Sequence, residues 1–421
     1  MSEQWIQRYV HLAFEIDKHF RQSADSWYVD YYYGPAEWRA AVESEPPHPA
    51  AALVSEAVAL TEAIPAQGFA PQRATYLEKQ VRAMETIARK LNGETFPLQE
   101  ETERVLDVRP SWIPETQFEE GLALYDEALP GTGPLKERYA AWRERHELEP
   151  GHGELLATLM EQTLAEARRR TRRLIGLPRD EEVETKTITG KAWGAANWYL
   201  GNYRSRMELN TDLPTNLAML VYLMCHEAYP GHHTEFALKE QALVREQGLL
   251  EYTISPVLSP QLTISEGIAE LAPEMIFAPD EIEEWSREHL YAPAGIEDDG
   301  TDGAKIRAAE RLLREAAGNA ALMLDQGEPE EEVLAYLRRY TIEPEVRVQK
   351  ALAFLKDPLM RPYIFSYTYG RRLLEPLLQG PNRLTTLRRL LTEQLYPSLL
   401  GVGVGSRLAE QAQQRVGEDT D

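Results

Sequence analysis

Three histidines and a glutamate fall within eight residues, His226-Glu227-Ala228-Tyr229-Pro230-Gly231-His232-His233. The residues before them, Leu217 to Cys225, are all apolar and read as a buried helix. A core helix that ends in imidazoles and a carboxylate carries groups that are costly to bury unpartnered, and a metal ion partners several of them at once. Two imidazoles share one helix face at i, i+4, as in His-Glu-x-x-His. His226 and His232 are instead six apart, about 120° around an unbroken helix and about 9 Å along its axis. His226 and His233 would share a face but stand about two turns apart, too far to bind one ion at about 2 Å. A shared metal therefore demands a broken helix. Pro230-Gly231 supplies the break: the proline removes an N–H and clashes with the preceding turn, and the glycine permits unusual backbone angles. A restarted helix then brings His232 back beside His226, with His233 in a supporting role.

The second half of the pattern is Thr263-Ile264-Ser265-Glu266-Gly267-Ile268-Ala269-Glu270, which reads as a helix with carboxylates at i, i+4. Glu266 is the candidate third ligand, and Glu270, one turn later, the candidate acceptor for an imidazole N–H. Arg204, Arg206, Arg371 and Arg372 are candidates for holding a substrate carboxylate, although each also lies among acids it can balance. Cys225 sits in an apolar run and reads as a buried, inert thiol. Asp30-Tyr31-Tyr32-Tyr33-Gly34-Pro35 is an aromatic turn that walls a substrate cleft or packs the N-terminal helices. Trp193, Trp198 and Tyr203 read as core residues.

These residues resemble a bacterial family labelled domain of unknown function 885. Its members show His-Glu-x-x-Pro-Gly-His, then Glu-Gly-Trp-Ala, then a late Tyr-x-x-Gly. Here the matching residues are His226-Glu227-x-x-Pro230-Gly231-His232, Glu266-Gly267-x-Ala269 and Tyr367-x-x-Gly370. The resemblance covers roughly Trp193 to Leu378. It departs at Ile268, where the family has Trp, at Leu271, where an aromatic is common, and at Glu235, where Gln is usual. The family is grouped with zincin-like metallopeptidases. The resemblance thus implies a mainly α fold with a small antiparallel β-sheet beside the active-site helix, and one zinc ion per chain held by His226, His232 and Glu266. It further implies Glu227 as the general base for a zinc-activated water and Tyr367 as the phenol that stabilises the carbonyl oxygen. The substrate would be a peptide or small amide, cleaved by a carboxypeptidase, dipeptidase or oligopeptidase type of action.

The rest of the chain must position these groups. Helical apolar spacing runs through Trp5–Phe20 and about 50–64, 72–92, 114–128, 134–147 and 152–175, with Pro and Gly at the joins. The arginines between Glu161 and Ile175 read as a solvated face. Alternation at Glu182–Thr189 and Arg204–Asn210 predicts strands, the second serving as the edge to which a peptide substrate adds. Helical patterns resume at about 214–229, 233–247, 260–275, 303–325, 329–340, 343–356 and 365–379. The expected division is an N-terminal helical lobe, 1–180, and a zincin-like catalytic lobe, 181–421, or one continuous domain with a cleft.

Composition narrows the partners. The chain has 421 residues and a formal charge of -23, which disfavours nucleic acid and anionic membranes. One cysteine excludes an intrachain disulfide and cysteine-based zinc fingers or iron–sulfur clusters. No signal-peptide pattern opens the sequence, and a cytoplasmic, globular protein is expected. Three rival readings remain: a zinc hydrolase of non-peptide amides or esters, a metal-free helical binding protein with a vestigial site, and a di-metal helical bundle. The last needs helical Glu-x-x-His pairs, and Glu45-His48 and Glu149-His152 run through prolines.

Overall fold

A computed structural model describes residues 2–22, 26–191, 194–278 and 280–401; Trp193 lies outside them. The chain is mainly helical. The elements that matter to the site are helices α1 (Ser2–Phe20), α2 (Pro71–Leu91), α3 (Gly153–Leu174), α4 (Leu220–Glu227), α5 (His232–Lys239), α6 (Pro260–Ile276), α7 (Gly303–Arg314) and α8 (Ile364–Leu378). The strands are β1 (Val29–Tyr32), β2 (Glu182–Ile188), β3 (Ala195–Gly201), β4 (Arg204–Asn210) and β5 (Ile254–Pro256).

Proline sets many of the helix starts. Pro49, Pro114, Pro134, Pro329 and Pro344 each stand immediately before a helix, and Pro71 and Pro260 occupy its first position. There a missing N–H costs nothing, because the first turn has no acceptor for it. The largest apolar cluster takes Trp5, Tyr9, Tyr76 and Met84 from the N-terminal helices and Leu322, Leu352 and Phe365 from the late ones. The core therefore crosses residue 180. A second cluster packs Leu159 and Met160 of α3 and Met207 of β4 around Leu220, Val221, Met224 and Cys225, so the apolar helix read from the sequence is buried. Cys225 is a free, buried thiol whose pKa burial pushes up.

The three-stranded sheet has the order β2-β4-β3; β4 pairs in parallel with β2 and antiparallel with β3. Arg204–Asn210 is thus the central strand. Both its edges carry ladder hydrogen bonds, and the expectation that it receives a substrate strand is corrected. The edges are β2 and β3, and the turn signal of β3, Gly201-Asn202, sits in a segment without clear alternation. On β3 it is Tyr199 that turns inward, while Trp198 and, beyond the turn, Tyr203 are only half-buried, contrary to their reading as core. β1 pairs antiparallel with β5, with a bulge at Asp30. Among the described residues no helix is long and apolar enough to cross a membrane.

Candidate metal centre

The apolar helix α4 ends at Glu227, and the chain reverses through Ala228, a cis Tyr229–Pro230 bond and Gly231 before α5 begins at His232. Gly231 is required: a Cβ there would collide with the carbonyls of Cys225 and His226. The reversal keeps its backbone groups satisfied. Gly231 N donates to Cys225 O at 3.0 Å, and both the amide and hydroxyl of Thr234 donate to Ala228 O at 3.1 Å. The break returns His232 to His226, their rings 4.8 Å apart and at 89°.

Glu266 arrives from α6, which crosses α8 at two glycines. A Cβ on Gly267 would lie 2.5 Å from Gly370 O, and one on Gly370 would meet Thr263 O. The small residues let the backbones touch, and this close crossing sets Tyr363 and Tyr367 over Glu266. Tyr363 Oη donates to Glu266 Oε1 at 2.9 Å, leaving Oε2 buried without a hydrogen-bond partner. That oxygen faces both imidazoles, 3.4 Å from His226 Nε2 and 3.7 Å from His232 Nε2.

These atoms could hold a metal ion: one ligating atom from each of His226, His232 and Glu266 lies within 4.8 Å of the others. Tetrahedral zinc with bonds of about 2.0–2.1 Å separates its ligand atoms by about 3.3 Å, close to the two distances above. The orphaned carboxylate oxygen and the two-histidine, one-carboxylate donor set fit zinc.

The surrounding hydrogen bonds fix the imidazoles. His232 Nδ1 lies 3.0 Å from Ser265 Oγ, which donates to Glu235 Oε2 at 2.6 Å. Ser265 has one proton and gives it to the carboxylate, so His232 Nδ1 is the donor and Nε2 presents a lone pair to the centre. Lys239 holds the other Glu235 oxygen at 2.6 Å. His226 Nδ1 has no hydrogen-bond partner and stands 3.8 Å from Glu270 Oε1, which accepts from Arg314 at 2.5 Å. Glu270 is therefore the nearest carboxylate to that N–H, but it is bound by an arginine. Burial alone would lower the His226 pKa, yet contact with Glu266 and the charges of Glu227, Glu266 and Glu270 raise it to about 9. Burial acts against the Glu266 carboxylate too, and the contacts with His226, His232 and Tyr363 outweigh it, lowering its pKa.

Glu227 follows His226 directly, and its backbone carbonyl accepts from Asn197 Nδ2 of β3 at 3.0 Å. Tyr367 lies with its ring 6.3 Å from that of His226 and 5.5 Å from that of Tyr363. Burial first, then the Glu266 charge, hold its phenol well above the ordinary value, so it stays protonated.

Other expected residues lie elsewhere. His233 is turned away: its Nδ1 meets Ser205 Oγ at 2.8 Å and its Nε2 meets Glu181 Oε2 at 3.2 Å. Glu181 also accepts from Tyr229, Arg168 and Arg172, so two arginines read as a solvated face clasp a buried carboxylate below the helix break. Arg204 pairs with Glu182 at 2.8 Å across the parallel ladder, and Arg206 lies 3.8 Å from Glu184. Neither is brought to the ligating atoms. Arg371 is held by Glu274 and Glu375, and Arg372 by Glu315.

Sequence reasoning missed Ser265 and Tyr363, whose roles depend on contacts 33 and 97 residues away. Asp30 was named only as part of an aromatic turn, whereas it is the bulged residue of strand β1. Burial, reinforced by Glu227 and Glu266, raises the Asp30 carboxyl to about 7. The aromatic turn that contains it does reach the centre, because Tyr31 packs on Phe236 and Phe236 stacks on His232.

No family model matches the chain, so the resemblance to domain of unknown function 885 rests on its motifs. No curated protein matches it either. Among solved structures, the chain is similar to a protein from Colwellia psychrerythraea described as a lipoprotein, with 16% identity and a TM-score of 0.52 over 85% of this chain. This chain spans 66% of the length of that one. It is also similar to a Shewanella oneidensis protein described as a lipoprotein of unknown function, with 11% identity and a TM-score of 0.49 over 86% of this chain and 74% of that one. A third is an M32 carboxypeptidase from Deinococcus radiodurans R1, with 11% identity and a TM-score of 0.44 over 99% of this chain and 98% of that one. The first of these likenesses shows a shared, mainly helical fold.

Proposed function

We propose that the protein is a zinc-dependent hydrolase of the metallopeptidase type, cleaving peptide bonds or similar small amides. The observation that carries this reading is the buried, unpartnered Glu266 Oε2 facing two imidazole Nε2 atoms beside Glu227. His226, His232 and Glu266 would hold the zinc, which when bound supplies a Lewis acid that acidifies water and polarises a carbonyl. Glu227 accepts the proton that the attacking water loses and delivers it to the leaving amine. Its side chain has no hydrogen-bond donor among the described residues, so the carboxylate is available as a base, and Asn197 fixes the backbone that carries it. The protonated Tyr367 phenol donates to the carbonyl oxygen as charge develops there. Ser265 and Glu235 hold His232 in the Nδ1–H tautomer, and Tyr363 orients Glu266. β3, an outer strand of the sheet whose Asn197 side chain binds the Glu227 carbonyl, would be the strand to which an extended substrate adds by backbone hydrogen bonds.

The test is hydrolysis of a mixed peptide library by zinc-loaded protein, with Glu227→Gln as the control. Cleavage that disappears in the metal-retaining variant supports the reading. A zinc-loaded protein that cleaves amide or ester panels but no peptide would keep the chemistry and overturn the substrate class.

A further inference from the structure

Arg307, Arg311 and Arg314 recur at helical spacing along α7, and all three line a single cavity of about 320 Å³. Arg371 of α8 adds a fourth guanidinium, and much of the remaining lining is apolar, including Met219, Phe277 and Ile282. The cavity lies behind the candidate metal centre. His226 turns Nε2 toward Glu266 and Nδ1 toward Glu270, and Glu270 is part of the cavity wall. Glu270 thus links the cavity wall to the His226 ring, and none of the ligating residues lines the cavity.

The four cations are not equally engaged. Arg314 binds Glu270 at 2.5 Å, and Arg371 binds Glu274 and Glu375 at 2.8 and 2.6 Å. Arg307 faces Glu283 at 3.6 Å. Arg311 makes no hydrogen bond among the described residues; its nearest carboxylate, Glu274, is 3.7 Å away and already held by Arg371. In a chain of net charge -23, a cavity with an open guanidinium fork stands out.

We propose that this cavity is a binding site for a small organic carboxylate with an apolar body, its head group taken by the Arg311 fork and its chain lying against Phe277 and Ile282. A guanidinium pairs with a carboxylate through two parallel N–H bonds, a geometry an amide cannot match. About 320 Å³ is at the small end of ligand pockets, so the ligand is a compact acid rather than a long peptide. The site is distinct from the ligating residues and does not rest on the hydrolase reading.

The test is isothermal titration calorimetry on the full chain, zinc-loaded and chelator-treated, with 4-phenylbutyrate and its neutral amide as probes. The expected result is saturable binding of the acid, with the amide and the Arg311→Gln variant each weaker by at least about tenfold. Arg311→Lys should recover part of the loss, and Glu227→Gln should bind as the parent does. Equal affinity for acid and amide, an unaffected Arg311→Gln, or no binding of the acid up to about 10 mM would overturn the proposal. The comparison of acid with amide uses the unaltered protein, so it decides the matter even if a variant fails to fold.

Discussion

Replacing Ser265 by Ala tests whether the hydrogen bonds around the histidines set the metal affinity. The hydroxyl joins His232 Nδ1 at 3.0 Å to Glu235 Oε2 at 2.6 Å. Without it, Glu235 keeps Lys239 at 2.6 Å, whereas His232 loses the acceptor that fixes its tautomer. Loss of such a partner typically weakens metal binding about 10- to 100-fold, or about 1.4–2.7 kcal/mol. The metal-free fold should lose about 1–3 kcal/mol, the cost of a buried donor without an acceptor. Ser259→Ala is the matched control. Ser259 caps the same helix, accepting from Leu262 N at 3.3 Å, and does not touch the histidines. It should lower stability by about 0.5–2 kcal/mol and leave zinc affinity unchanged. Zinc affinity would be read by competition with a chromophoric chelator and stability by urea denaturation. A Ser265→Ala protein within twofold of the parent for zinc, or a Ser259→Ala protein that loses as much, would refute the reasoning.

Three other outcomes are expected. Glu227→Gln should retain zinc and lose at least about 10²-fold in hydrolysis, checked on any peptide the parent cleaves. The pH behaviour follows from His226, which is held up to about 9 in the metal-free fold. A folded pKa above the unfolded one, about 6.5, gives stability that is complete below that value and lost as pH rises through about 9. Zinc needs the neutral imidazole, so uptake at pH 7 should release about one proton and tighten by up to about tenfold per pH unit toward 9. Calorimetry in buffers of different ionisation enthalpy measures that proton, and uptake without release would contradict the assignment. Gly267→Ala places a Cβ 2.5 Å from Gly370 O, so α6 and α8 must separate. It should cost about 1–3 kcal/mol and weaken zinc binding with it, read by thermal denaturation and zinc titration.

Much of this was legible in local spacing. Helices at 72–92, 152–175 and 365–379 fall within a residue of their expected bounds, and the one expected at Trp5–Phe20 starts three residues earlier, because each buries one periodic face. The helix break at Pro230-Gly231 could be read because i+6 spacing cannot serve one ion without it. What escaped depends on contacts far apart in sequence. Val29–Tyr32 becomes a strand only by pairing with Ile254–Pro256, and Arg204–Asn210 becomes central only because Ala195–Gly201 and Glu182–Ile188 flank it. The direction of His233 was equally hidden, since it is set by Glu181 and Ser205 rather than by its neighbours in the chain. The helix at Leu98–Leu106 was missed because its short apolar face sits among acids.

Metal content, measured by inductively coupled plasma mass spectrometry on tag-free protein without added metal, tests the central claim most directly. The predicted result is about one zinc per chain, lost in His226→Ala and Glu266→Ala and kept in Glu227→Gln. A chain that carries no metal and takes up none on titration with zinc would contradict the account.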